Sequence, residues 1–134
     1  MAWNPEVVAL RCLLVDDSSG FLDAARVLLE RQGIDVVGAA STGDEALRLV
    51  GELQPDVALV DIDLGRESGF NLARRLALET SLHRVILIST HSEADFADLI
   101  AESPAIGFLS KSQLSATAIH ELLGGDRGNE GART

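Results

Sequence analysis

The sequence predicts a single α/β domain built on a parallel β-sheet with helices on both faces. Short apolar runs rich in β-branched residues alternate with longer stretches in which apolar residues recur at helical spacing. Glycine or proline stands after several of these stretches, where helices are expected to end. The chain has 134 residues, which is enough for one hydrophobic core but not for two domains.

Five apolar runs are predicted to form the strands of the sheet. They are RCLLV at 11–15, DVVGA at 35–39, VALV at 57–60, RVILI at 84–88 and GFLS at 107–110. A predicted helix separates each run from the next, so the strands are expected to run parallel. Right-handed crossovers then leave few topologies.

The predicted helices carry their apolar residues on one face. These faces are Phe21, Ala24, Ala25 and Leu28; Ala46, Leu49, Val50 and Leu53; Phe70, Ala73 and Ala77; and Leu114, Ala118 and Leu122. Residues 93–102 are less periodic, but a helix is predicted there too. Gly33, Pro55 and Pro104 follow the first, second and fourth helices as stop signals.

Composition limits the classes of function. The predicted domain covers residues 9–123, and residues 124–134 are predicted to be a flexible tail or the start of a linker. The formal net charge of −10 argues against direct nucleic-acid binding, which needs clustered Lys and Arg. No apolar run approaches the roughly 18 residues of a membrane span, and MAWNPEVVAL lacks the basic region of a signal peptide. A single cysteine, Cys12, fits a reducing compartment, so a cytoplasmic protein is expected.

Polar side chains follow four of the five predicted strands. Strands one, three, four and five are followed, respectively, by Asp16 and Asp17; by Asp61; by Ser89 and Thr90; and by Lys111. The carboxyl ends of parallel strands lie on one edge of the sheet, so these side chains are expected to converge. If the strand order is 2-1-3-4-5, the first and third strands meet at the switch point where such sheets bind ligands.

The converging groups suit phosphoryl chemistry. Three close carboxylates cannot all ionise comfortably unless one keeps a proton or a cation sits among them. A hard divalent cation with few protein ligands is most like Mg²⁺. Lys111 and Ser89 complete a set that can neutralise and position a phosphoryl group, and an aspartate can itself be the nucleophile.

Four sequence pieces resemble the receiver domain of bacterial two-component response regulators. They are LLVDD (13–17), DVALVDIDLGRESG (56–69), VILIST (85–90) and GFLSKS (107–112), and their order and spacing are jointly specific. The resemblance covers about residues 9–123. It implies a flavodoxin-like, doubly wound, five-stranded sheet of order 2-1-3-4-5. It also implies a signalling phosphoacceptor and not an enzyme, beyond self-phosphorylation from small donors and self-dephosphorylation.

The resemblance assigns the acidic residues. Asp61 would accept a phosphoryl group from a phosphohistidine on a sensor histidine kinase or phosphotransfer protein. Asp17 and Asp61 would bind Mg²⁺ directly, and Asp16 would bind it through water. The backbone carbonyl of Asp63 would be a further ligand.

The resemblance also implies a switch. Lys111 would pair with the acceptor carboxylate and then with the phosphoryl oxygens. Ser89 would donate its hydroxyl to the phosphoryl group, and Phe108 would turn inward as Ser89 moves. Residues 93–123 would carry the resulting change, with a homodimer through this face as one outcome.

Three positions depart from the family pattern. Gly65 and Ser112 stand where the family usually has proline, and Thr90 stands where it mostly has a smaller residue. A cis bond before a residue other than proline costs about 3 kcal/mol; a trans Lys111–Ser112 bond would displace the lysine. Asp63, Thr90 and His91 are predicted to tune water access to the phosphoryl group, with the lifetime of the phosphorylated form depending on positions 63 and 91.

Other interpretations remain open for single residues. Asp16 and Asp17 could only cap a helix, Ser89 and Thr90 could satisfy local backbone, and Phe108 could be plain core. A further set of loop and helix residues is interpreted as solvated charges: Arg66, Glu67, Arg74 and Arg75.

Two other functions compete with the receiver. A haloacid-dehalogenase-type phosphatase would use Asp61 as nucleophile and Asp63 as general acid, but its second acidic cluster should follow Lys111, where only Glu121, Asp126 and Glu130 occur. A flavodoxin-like FMN module would need a less acidic loop than DDSSGF after the first strand. The output is open between a receiver acting alone and one joined to a helix-turn-helix domain.

Overall fold

A five-stranded parallel sheet forms the centre of the protein. The computed structural model describes the backbone of residues 9–131 and the side chains of residues 9–124; the N-terminal residues considered for a signal peptide lie mostly outside this range. The strands are β1 (Arg11–Val15), β2 (Asp35–Ala40), β3 (Val57–Asp61), β4 (Val85–Ser89) and β5 (Gly107–Ser110). Their order is β2-β1-β3-β4-β5, and every neighbouring pair is parallel. The predicted fold class and strand order are therefore confirmed.

Among the described residues, four α-helices connect the strands and a fifth follows the last strand: α1 (Ser19–Arg31), α2 (Gly43–Leu53), α3 (Gly69–Glu79), α4 (Ala97–Glu102) and α5 (Ala116–Gly131). Ser18, Thr42 and Ser68 cap the first three, because each side chain accepts a hydrogen bond from a backbone N–H three residues further on. The predicted helix over 93–102 is divided. It begins as a 3₁₀ turn, Glu93–Phe96, whose N-cap Ser92 makes no such hydrogen bond, and continues as α4.

The hydrophobic core has two layers, one on each face of the sheet. Successive strand residues point to opposite faces, so Leu13, Val15 and Val60 lie in one layer and Leu14 and Leu59 lie in the other. Helices α2 and α3 cover the first layer, and α1 and α5 cover the second. All five residues of β3 are buried, and β3 delivers Asp61 to the edge of the sheet.

The buried faces of α1 and α5 differ from the predicted ones. In α1, Ala25 and Leu29 are buried, whereas Leu28 is 37% exposed. In α5, Ile119 and Leu123 are buried and Leu122 is only partly so. Each helix carries two apolar stripes that are one residue apart, and both stripes fit the helical period. Packing against the sheet buries the stripe that was not predicted.

The segment predicted to be a tail is partly helical. Helix α5 continues to Gly131, through most of residues 124–134. Once a helix is formed and packed, each further residue adds a hydrogen bond for little extra ordering, so polar residues can extend it. Within the described residues, no helix is both long and apolar enough to cross a membrane.

Candidate functional site

The loop after β3 folds tightly at the carboxyl edge of the sheet. It contains a two-stranded hairpin, Asp63–Leu64 paired with Glu67–Ser68. Gly65 turns the hairpin with φ +79°, a conformation closed to the proline usual at this position, whose ring fixes φ near −65°. A Cβ on Gly69 would lie 2.2 Å from the carbonyl oxygen of Asp61, so glycine is needed for this approach. The Gly69 N–H donates to the carbonyl oxygen of Ile62 at 2.6 Å, which closes the loop.

Three carboxylates meet at this edge, as the strand ends predict. Oxygens of Asp16, Asp17 and Asp61 all lie within 4.8 Å of one another. Asp16 is fully buried, Asp61 is 7% exposed and Asp17 is exposed. Backbone N–H groups hold two of them, since Ser18 donates to Asp16 Oδ1 at 2.9 Å and Asp63 donates to Asp61 Oδ1 at 3.1 Å.

Lys111 reaches into the carboxylate cluster. Its Nζ lies 2.5 Å from Asp16 Oδ2 and 3.2 Å from Asp61 Oδ2. The described residues contain no cis peptide bond, so Lys111–Ser112 is trans. The trans bond does not carry the amine away from the acids. The 3₁₀ turn Lys111–Gln113 begins at the lysine itself.

Burial and charge perturb two of these groups. Burial raises the pKa of Asp61, and the Asp16 charge adds to the effect, while the Asp63 N–H and Lys111 oppose it. Burial lowers the pKa of Lys111, but hydrogen bonding and attraction from Asp16 and Asp61 outweigh it and leave that pKa raised. The lysine is therefore charged at neutral pH, and one ammonium faces three carboxylates.

The cluster fits a hard divalent cation. Its donors are carboxylate oxygens, and the fully buried Asp16 has the Lys111 amine as the partner of its Oδ2. An excess of two negative charges remains after Lys111 is counted. Oxygen ligands with such an excess are what Mg²⁺ or Ca²⁺ requires.

Ser89 faces the same cavity from the end of β4. The cavity, of about 540 Å³, is lined by Asp61, Lys111 and Ser89 among others, and by Thr90 and His91, which are exposed. Ser89 is 5% exposed, and its Oγ accepts a hydrogen bond from the His91 N–H at 3.0 Å. The structure thus brings Ser89, Thr90 and His91 to the acidic site.

Phe108 is buried in the core, whereas the Asp63 side chain is exposed at the surface. Phe108 is 8% exposed and belongs to the core layer that also contains Ile62 and Phe70, and it is not among the residues that line the cavity. Asp63 is exposed, and its Oδ1 accepts a hydrogen bond from the Gly65 N–H at 3.1 Å.

Two features of the site were missed by sequence reasoning. The ring of Phe21 lies 4.3 Å from Lys111 Nζ, in cation–π contact. Arg75, interpreted as a solvated charge, instead binds Glu67 of the hairpin and Asp44 of α2. Phe21 lies on a predicted core face, which gave no sign of its contact with Lys111. Arg75 and Asp44 are 31 residues apart in the sequence, so no local pattern linked these two residues.

Comparison with known proteins identifies the class to which this fold and site belong. Residues 12–123 match the family model of the response regulator receiver domain. The chain therefore belongs to the receiver domain family of two-component response regulators. The match gives no support to the haloacid-dehalogenase-type interpretation.

Particular relatives agree with the family assignment. The response regulator UvrY of Escherichia coli K12 is 31% identical over 122 residues, covering 88% of this chain and 56% of UvrY. The transcriptional regulatory protein LiaR of Bacillus subtilis is 29% identical, covering 89% of this chain and 57% of LiaR. A protein-glutamate methylesterase/protein-glutamine glutaminase of Myxococcus xanthus is 34% identical, covering 90% of this chain and 35% of that protein. The chain thus spans only part of these relatives.

Solved structures show the same fold. The receiver domain of a response regulator named NarL from Mycobacterium tuberculosis superposes with a TM-score of 0.72 at 31% identity, over 86% of this chain and 93% of that one. A LuxR-family two-component response regulator from Aurantimonas gives a TM-score of 0.77 at 29% identity, over 88% and 87% of the two chains.

Proposed function

We propose that Asp61 is the phosphoacceptor of this receiver domain and that its phosphorylation requires Mg²⁺. The observation that carries the proposal is the contact of Lys111 with Asp61 inside a cluster of three carboxylates. Asp61 stands at the end of the buried strand β3, contacts the lysine amine, as Asp16 also does, and lines the open cavity.

The carboxylates would hold the metal. Asp17, Asp61 and the backbone carbonyl of Asp63 would supply oxygen ligands directly, and Asp16 would act through water. Mg²⁺ bound there would neutralise negative charge on the carboxylates and on an incoming phosphoryl group. The excess of carboxylates over ammonium in the cluster supports this assignment.

The protein's own groups perform the transfer. A carboxylate oxygen of Asp61 attacks the phosphorus of a donor phosphohistidine, and a phosphorus–oxygen bond forms as the phosphorus–nitrogen bond breaks. The electron pair stays with the imidazole nitrogen, which takes up a proton. Lys111 moves its ion pair from the carboxylate to the phosphoryl oxygens, and Ser89 donates its hydroxyl to them.

Asp63, Thr90 and His91 tune the site. The exposed side chains of all three line the cavity or its rim, where water must pass to hydrolyse the acyl phosphate. Movement of Ser89 toward a phosphoryl group would break the bond it accepts from the His91 N–H. This bond supports coupling between the phosphoryl group and the segment that begins at residue 93.

The partners and output follow from this role. A sensor histidine kinase or a phosphotransfer protein supplies the phosphoryl group, and residues 93–123, with Phe108 as the aromatic switch, present the changed surface, including to a second copy. The domain acts in the cytoplasm as a signalling acceptor and not as an enzyme on external substrates. Its acidic charge supports the absence of direct nucleic-acid contact by these residues.

Intact mass spectrometry tests the acceptor and the metal together. Incubation with acetyl phosphate and Mg²⁺ should add a single phosphoryl group to the wild-type protein, and Asp61→Asn or excess EDTA should abolish it. Asp56→Asn is the matched control, because Asp56 is an exposed aspartate at the opposite end of β3. An adduct that persists in Asp61→Asn would overturn the proposal.

A further inference from the structure

Arg75 ties three separate elements together beside the phosphorylation site. Its Nη1 donates to both carboxylate oxygens of Glu67, at 3.1 and 3.0 Å, and its Nη2 donates to Asp44 Oδ1 at 2.8 Å. Its Nε lies 3.6 Å from Glu79 Oε2, one helical turn further along α3. One guanidinium on α3 therefore binds the hairpin and the start of α2.

Glu67 is held from several sides. Asn71 Nδ2 donates to Glu67 Oε2 at 2.6 Å, in addition to the two bonds from Arg75. The Glu67 carboxylate packs so closely on the backbone of Gly43 that a Cβ at Gly43 would lie 1.9 Å from Oε1. The Glu67 side chain is only 20% exposed. These contacts exceed those of an isolated surface ion pair, which contributes little by itself.

The network reaches the acidic site through the hairpin. Glu67 pairs with Leu64 across the two short strands, and Ser68 pairs with Asp63. Glu67 also lines the cavity that contains Asp61 and Lys111. Gly65 at the turn has wide conformational freedom, so the strand that carries Asp63 needs an anchor outside itself.

We propose that Arg75 is a positioning residue that fixes the hairpin through Glu67 and Asp44 and thereby sets the affinity of the site for Mg²⁺. The inference rests on the proposed function, because it assumes that the Asp63 carbonyl is a metal ligand. The guanidinium reaches Glu67 through Nη1, Asp44 through Nη2 and Glu79 through Nε, so lysine, with a single nitrogen, can replace the charge but not this set of contacts.

Calorimetric titration with Mg²⁺ alone, without any phosphoryl donor, tests the inference. Arg75→Gln should weaken binding about tenfold, as loss of support behind a metal ligand typically does. Glu67→Gln should weaken it too, and Arg75→Lys should restore part of the affinity. Arg74→Gln is the matched control, because Arg74 is the adjacent, exposed arginine of the same helix.

Amide hydrogen exchange separates positioning from general loss of stability. In Arg75→Gln, the amides of Asp63 and Gly69, which close the loop, should exchange faster. The amide of Leu14 in β1 should keep its wild-type rate; equal acceleration at Leu14 would mean that Arg75 only stabilises the fold, which overturns the inference.

The outcomes distinguish this inference from the proposed function. Wild-type Mg²⁺ affinity in both Arg75→Gln and Glu67→Gln would overturn the inference and leave the function standing. Failure of the wild-type protein to bind Mg²⁺ would overturn both. Should Arg75→Gln fail to fold, Glu67→Gln and Arg75→Lys decide the question by the same titration.

Discussion

Asp61 is held in a position that suits chemistry more than stability. It is nearly buried, lies beside Asp16 and depends on Lys111 and one backbone N–H for compensation. Burial of a carboxylate favours its neutral form. Keeping the Asp61 carboxylate charged in this position costs free energy. Because Asp61 also lines an open cavity, it is available to react with a ligand that brings its own positive charge.

Thermal unfolding in EDTA tests this electrostatic description. The folded state holds the Asp61 proton to a higher pH than the unfolded chain, whose pKa is near 3.8. The contribution of Asp61 to stability should therefore fall as the pH rises from 3.8 through the raised folded pKa. Asp61→Asn should have the higher Tm at pH 7, and the difference should shrink below pH 3.8. A lower Tm for the variant at pH 7 would contradict the description.

The lifetime of the phosphorylated form should depend on positions 63 and 91. Both residues are exposed, and both line the cavity around Asp61. Asp63→Asn and His91→Ala should each change the rate at which the phosphoryl adduct is lost, because they alter the path of water to it. The decay is measured by intact mass after removal of the donor. Unchanged rates in both variants would argue against this tuning role.

Sequence reasoning found the residues that stand at strand ends and missed those whose partners are distant. Asp16, Asp61, Ser89 and Lys111 converge because a parallel sheet brings its carboxyl ends together. The approach of Phe21 to Lys111 depends instead on how α1 packs. Sequence spacing carries no information about that contact.

At the scale of elements, the loop between β3 and α3 is the most constrained part of the site. Gly69 permits the backbone approach that closes the loop, and Gly65 permits its turn. The central strands β1, β3 and β4 were predictable because their apolar runs are buried on both faces. The buried faces of α1 and α5 were not predictable, because two overlapping apolar stripes on each helix fit the same helical period.

Two glycine substitutions should have opposite effects. Gly69→Ala should destabilise the protein by about 1–3 kcal/mol, as overpacking does, because its Cβ meets the Asp61 backbone. Gly51→Ala, inside α2 with nothing within 4 Å of the added Cβ, should stabilise it by about 0.5–1 kcal/mol. Urea denaturation measures both changes. Equal effects of the two substitutions would refute the close approach at Gly69.

At the scale of the whole molecule, the proposed function assigns the chemistry to one edge of the sheet and the response to a neighbouring face. The packed two-layer core keeps the strand ends fixed, whereas residues 93–102 are a 3₁₀ turn and a short helix without buried residues. Such a segment is well suited to a shift between two packings. The weak periodicity of residues 93–102 in the sequence has the same physical origin, since little of this segment belongs to the core.

Binding of beryllofluoride with Mg²⁺, a mimic of the phosphoryl group, should change this face. Amide chemical shifts and hydrogen-exchange rates should change mainly within residues 93–123. The changes should include residues of this range that do not line the cavity. The Asp61→Asn protein is the control and should not respond. A wild-type response confined to the residues that line the cavity, with the rest of residues 93–123 unchanged, would contradict the switch.

The position of the phosphoryl group is the most direct test of the account. Treatment of the phosphorylated protein with borohydride converts an acyl phosphate of aspartate to homoserine, and peptide mass spectrometry then locates the altered residue. We predict homoserine at position 61 alone. Homoserine at position 16, 17 or 63, with position 61 intact, would contradict it.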